Sequence, residues 1–162
     1  MIFHNQVVDK NEVLERPRTA ARIAAVQAIY QITMTNLPAD EVVKEFTLFR
    51  LQQIEGDSNL GVPDLKLFEI LVKKTAKELN ELDRLIADVL VETWTMDRLE
   101  NTLQAILRVG ACELLRHLET PPAVVISEYV DVTHAFYEDK MAALVNGVLD
   151  KLGQENRKKT LG

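Results

Sequence analysis

Three arginines, Arg16, Arg18 and Arg22, crowd the stretch RPRTAAR. On a helix, Arg18 and Arg22 stand one turn apart on the same face. That geometry suits adjacent phosphates, because a guanidinium can grip phosphate oxygens through two parallel N–H donors. Pro17 suits the first turn of a helix. The arginines then gather at the positive end of the helix macrodipole, where each cation is disfavoured by about 0.3–1 kcal/mol. Either a ligand offsets that cost or these side chains form an ordinary solvated helix end, and the stretch alone accommodates both.

No other residues form a pattern that points to catalysis. Cys112, the single cysteine, lies in the most apolar part of the chain, where a thiol is inert packing and no intramolecular disulfide is possible; this fits a reducing compartment. The three histidines, His4, His117 and His134, have neither zinc-ligand spacing nor a nucleophile at a telling distance, and suit surface or helix-end positions. No Gly-rich phosphate loop or G-x-S-x-G elbow is present. The sequence implies no cofactor and no metal. Lys73, Lys74 and Lys77 share the outward face of an amphipathic segment and read as solvated. With 19 Lys plus Arg against 25 Asp plus Glu, the net charge of -6 excludes a general nucleic-acid binder and leaves room only for a local basic patch. The start MIFHNQVVDK lacks a basic, then apolar, export signal, and no run reaches the ~20 apolar residues of a membrane span. The expectation is a cytoplasmic protein with no membrane contact.

The elements that must position the arginines are helices. Leu99 to Leu118, LENTLQAILRVGACELLRHL, is apolar almost all round and is expected to form a buried central helix. Its two inner charges, Arg108 and Glu113, each need a partner or a route to solvent, and Gly110 suggests that another backbone comes close. In the first helix, Ile23, Val26, Tyr30 and Met34 make one stripe and Ala21, Ala25, Ile29 and Ile32 a second. Its later turns should therefore be clamped and its first turns free. Further helices are expected over Ala39 to Ile54 with Val42, Val43, Phe46 and Phe49 as its apolar face, Asp64 to Leu79, Leu82 to Val91 with a bend at Asn80, Pro122 to Phe136, and Lys140 to Leu152 with Gly153 as the stop. Thr120 reads as the cap of the Pro122 helix, Gly147 as a second point of close approach, and Trp94 as a junction residue. Residues 1–15 read as a disordered leader, Glu55 to Pro63 as the longest loop, and 154–162 as a disordered basic tail. No strand alternation competes. The reading is an all-α domain over 16–153, with six or seven helices in two packed bundles, about 16–79 and 80–153, around the central helix.

Three stretches carry a resemblance beyond periodicity: AAVQAIYQ at Ala24 to Gln31, AILRVGACELL at Ala105 to Leu115, and PPAVVISEYVDVTHAFY with LVNGVLDKL from Pro121 to Leu152. The chain resembles the NusB family of bacterial transcription antitermination factors from about Arg16 to Leu152, most specifically in V-x-I-x-E followed by V-N-G-V-L-D. The resemblance implies a non-enzymatic factor that binds single-stranded boxA RNA of ribosomal RNA leader transcripts together with the ribosomal protein NusE, within an RNA polymerase antitermination complex. By position, Arg16, Arg18 and Arg22 fall on the family's arginine-rich start. Tyr30 falls on a tyrosine near the partner interface, although its spacing suits core packing equally. The chain departs from the family at Leu103, where many members have an acid at the partner surface. It departs again at Lys140 and Leu144, where an acid and then an aromatic are common; Lys140 could add a phosphate contact. A NusB-like domain also fronts certain ribosomal RNA cytosine methyltransferases, but this chain has no cofactor loop or catalytic cysteine motif. A helical adaptor that has lost RNA binding is the remaining rival.

Overall fold

A computed structural model of the chain describes residues 16–50, 61–91 and 93–161. The leader 1–15, with His4, and most of the loop between Glu55 and Pro63 lie outside the described residues.

The first helix, α1 (Pro17–Thr35), starts with Pro17 in its first turn and ends at Asn36, whose left-handed backbone (φ 58°) closes the last turn by donating its N–H to the Ile32 carbonyl. Its exposure runs opposite to the expectation. Thr19 to Ala25 is buried on nearly every side, while Tyr30 and Met34 are exposed. The cause lies in the small side chains at 20, 21, 24, 25 and 28, all alanine, which let neighbouring helices press on the early turns from several directions. Next, α2 (Ala39–Glu45) runs on into a wider π-helical stretch, Phe46–Arg50. There Phe46 is buried and stacks on Phe68 with centroids 5.7 Å apart, whereas Phe49, expected in the core, is exposed.

Helix α3 (Leu65–Lys77) is capped by Asp64, whose carboxylate accepts the Leu67 N–H at 3.0 Å. The Asp64 N–H donates to the Pro17 carbonyl at 2.9 Å, so the starts of α1 and α3 are pinned side by side. Leu67, Phe68, Leu71, Val72 and Thr75 face inward as the spacing predicts, and the three lysines face out. Helix α4 (Leu79–Val89) follows at once, the bend falling at Glu78 rather than Asn80.

A 3₁₀ turn at Met96–Arg98 leads into α5 (Asn101–Arg116), the centre of the molecule. It packs against α1, α3, α4 and both later helices, and Ile106 and Leu107 are fully buried. At Gly110 an added Cβ would meet Leu149 Cδ1 and Tyr129 Cγ at 3.2 Å each, so side chains of two helices, not a backbone, require the glycine. Helix α6 (Pro122–His134) begins without a side-chain cap, leaving Thr120 to a different role. Helix α7 (Asp139–Leu161) packs along α6 and α5. It passes straight through Gly153, and a Cβ on Gly147 would meet nothing within 4 Å, so neither glycine has the expected role. The tail read as disordered is helical to Leu161. Lys158 and Lys159 sit in its last turn, where the macrodipole favours cations, and Gln154 bonds Asp150 one turn back.

Among the described residues the protein is all-α, with seven helices and no strand. None of these helices is long and apolar enough to cross a membrane.

Candidate nucleic-acid interface

Arg22 enters α1 among alanines and is 1% exposed. A charge so placed is stable only with partners that replace water, and two acids from distant parts of the chain supply them. Its Nε and one terminal nitrogen donate to the two oxygens of Glu113 on α5, at 2.9 and 2.7 Å, a two-pronged grip that fixes the guanidinium plane. The other terminal nitrogen donates to Glu128 Oε1 on α6 at 2.6 Å. Thr19 donates its hydroxyl to the same Glu128 oxygen at 2.9 Å, and the Tyr129 hydroxyl donates to Glu113 at 2.7 Å. Burial by itself would push the Glu113 carboxyl up, but the hydrogen bonds and charge of Arg22, with the Tyr129 hydroxyl, outweigh it and hold the group below its ordinary range. Burial likewise opposes the charge on Arg22, and Glu113 overcomes it, so the guanidinium holds its proton more firmly than usual. Tyr129 is pushed well up, by burial first and by the Glu113 carboxylate next.

This geometry corrects the reading of Arg22 as a phosphate ligand. All three of its nitrogens are engaged with Glu113 and Glu128 and the side chain is buried; it anchors the start of α1 to α5 and α6. The dipole conflict at that end is thus partly answered from inside the protein.

Arg16 and Arg18 behave differently. The Arg16 side chain is 47% exposed, and among the described residues the acid paired with it is Glu128, whose Oε2 lies 3.7 Å away. Arg18 is exposed and donates to Thr120 Oγ1 at 3.0 Å, so the residue expected to cap α6 instead steadies an arginine. These two guanidiniums, held on an anchored helix start and largely open to solvent, are what the fold offers an anion.

The other predicted residues are dispersed. Lys140 is exposed at the start of α7, its Nζ 5.7 Å from the centroid of the Trp94 ring, a cation–π contact. Trp94, Lys140, Leu144, Gly147 and Lys151 line a groove of about 320 Å³. Leu103 is 1% exposed and belongs to the core face of α5, which corrects its reading as a partner contact. Tyr30 is 39% exposed and, with Met34 and Leu37, forms an apolar surface at the end of α1, beside Asn101.

The clamp itself is not legible in periodicity. Arg22 and Glu113 are 91 positions apart. The available signal is that each is a charge flanked by apolar and small residues in a helix that must be covered, and that their signs are opposite. Glu128, which joins Arg16, Thr19 and Arg22, is the acid of the V-x-I-x-E motif.

Comparison with known proteins shows the family and the fold. A model of the NusB family matches residues 19–154. The chain is 41% identical over 142 residues to a transcription antitermination protein NusB of Sphingopyxis alaskensis, covering 88% of this chain and 95% of that one. It is 40% identical over 154 residues to that of Rhizobium rhizogenes, covering 91% and 96%. Among solved structures, NusB of T. maritima superposes with a TM-score of 0.70 at 22% identity, over 87% of this chain and 93% of that one. A chain from a crystal structure of antitermination factors NusB and NusE in complex with double-stranded RNA does so with a TM-score of 0.67 at 22% identity, over 85% and 96%.

Proposed function

Because this chain belongs to the NusB family, we propose that it is a cytoplasmic, non-catalytic antitermination factor that binds boxA RNA of ribosomal RNA leader transcripts jointly with the ribosomal protein NusE. In this reading the assembly rides with RNA polymerase and lets it pass terminators. The single observation that carries the RNA part is the exposed pair Arg16 and Arg18, which among the described residues have no close acid contact, at the start of a helix anchored from within. A related fold occurs together with NusE and RNA, which supports the same assembly here. Lys140 is assigned a further phosphate contact, and Tyr30, with Met34, a contact to NusE.

A small basic surface on an acidic protein implies modest affinity. Each neutralised phosphate of a single strand contributes about -0.7 to the slope of log affinity against log salt, so Arg16, Arg18 and Lys140 together predict a slope of about -2. Titrating a labelled boxA-like single strand with the purified protein at several salt concentrations checks this. A shallow but finite slope is expected. No detectable binding at low salt would overturn the RNA reading and leave the adaptor, for which the exposed apolar surface at Tyr30 and Met34 speaks.

A further inference from the structure

Beside the exposed arginines a pocket of about 180 Å³ opens between the starts of α1 and α3 and the end of α5, lined by Arg18, Asp64, Lys66, Ile70, His117 and Glu119. Three of its side chains are cations or can become so. Neither Arg18 nor Lys66 makes an ion pair among the described residues; Arg18 meets only the neutral Thr120 hydroxyl. Lys66 projects from the first turn of α3, a turn that contains no acid. The His117 side chain is 9% exposed, yet its Nε2 makes no hydrogen bond. A buried ring nitrogen left in that state is an unmet demand for a partner.

The acids nearby do not meet it. Asp64 is committed to capping α3 through the Leu67 N–H. Glu119 stands 3.5 Å from Nε2 without hydrogen-bond geometry, and its side chain is 79% exposed, free to swing away. Glu113, one turn earlier on α5, is held by Arg22 and Tyr129, and Lys74 reaches instead to the Arg116 carbonyl. What is left is an arginine, a lysine, an imidazole and the positive end of a 13-residue helix converging on one space.

We propose that this pocket is a phosphate-binding subsite, holding one phosphodiester group of bound RNA between Arg18, Lys66 and the His117 imidazole while Glu119 turns outward. The proposal rests on the RNA-binding reading of Arg18 and extends it, carrying the RNA path from the start of α1 across the start of α3.

The test titrates labelled single-stranded RNA with the full chain, with Lys66→Ala and with His117→Leu, at several salt concentrations. Lys66 is exposed, so Lys66→Ala leaves the fold intact. It should weaken binding several-fold and make the salt slope shallower by about 0.7. His117→Leu, which removes the ring nitrogen without adding a donor, should weaken binding likewise, provided its melting curve matches that of the parent chain. Unaltered affinity and slope in Lys66→Ala would overturn the subsite while RNA binding by Arg16 and Arg18 survived. Should the parent chain bind no RNA at all, the RNA reading fails. The pocket is then judged by the His117 ring signals in NMR on adding inorganic phosphate. A shift abolished by Lys66→Ala supports it, and no shift overturns it.

Discussion

Replacing Arg22 with methionine is expected to remove about 3–5 kcal/mol of stability, because it strands buried carboxylates without their counter-charge. Total stabilities of single domains are only about 5–15 kcal/mol, so Arg22→Met should melt far below the parent chain. The loss arises at Glu113, which is fully buried and whose two oxygens both face the guanidinium, and adds to it at Glu128. Glu113→Gln should cost less, about 1–3 kcal/mol, since Glu128 still faces Arg22 and the amide oxygen can still accept from Tyr129. Acidification provides an independent check. Glu113 is held below its ordinary range in the folded chain, so its contribution is fully present above the unfolded carboxylate range and is lost as pH falls through the lowered folded value. The parent chain should therefore lose stability on acidification more steeply than Glu113→Gln. Thermal melts of the three proteins at neutral and acid pH measure all of this. A melting temperature of Arg22→Met close to that of the parent would mean that the clamp does not hold α1 in place.

The double exchange of Arg16 and Arg18 for alanine should have the reverse profile. Losing two charge-assisted contacts to phosphate, together worth about 1.5–3 kcal/mol, weakens RNA binding roughly tenfold to a hundredfold. Stability should hold or rise slightly. Among the described residues the acid near Arg16 is 3.7 Å away and the partner of Arg18 is a neutral hydroxyl, so little is lost, while two cations leave the positive end of the helix dipole. A double variant that binds RNA as the parent does would remove the basis of the RNA site. One that unfolds would make these arginines structural, as Arg22 is.

The contrast between Arg22 and its neighbours shows where the sequence was informative. Helical spacing alone identified α5 as the buried centre, because Leu103, Ile106, Leu107 and Leu114 cannot all be covered except inside a bundle. The need of Arg108 and Glu113 for partners was also readable. Asp83 takes Arg108 in a two-pronged pair at 2.7 and 2.8 Å, and Arg22 takes Glu113. Which partner each would find was not readable, since the pairing depends on how α1, α4 and α5 are brought together and not on any local spacing. The same reason defeated the shared-face argument for Arg18 and Arg22. One turn of helix separates them, and at that turn the alanine-walled part of α1 passes beneath α5 and α6, so one guanidinium faces solvent and the other the core. Tyr30 and Phe49 fit inward stripes by period yet lie exposed, because a stripe records which side chains share a face and says nothing of where the neighbouring helix ends.

The most direct test of the proposed function is a titration of labelled boxA-like single strand against this protein, against NusE, and against the equimolar pair. The acidic surface outside the arginine patch repels RNA, so a basic partner that extends the groove should make binding cooperative. By linkage, RNA should then tighten the protein pair by the same factor. The expected result is an affinity for the pair well above that of either component, with the gain lost when Arg16 and Arg18 are both alanine. An affinity for the pair no better than that of the separate components would contradict a joint RNA surface.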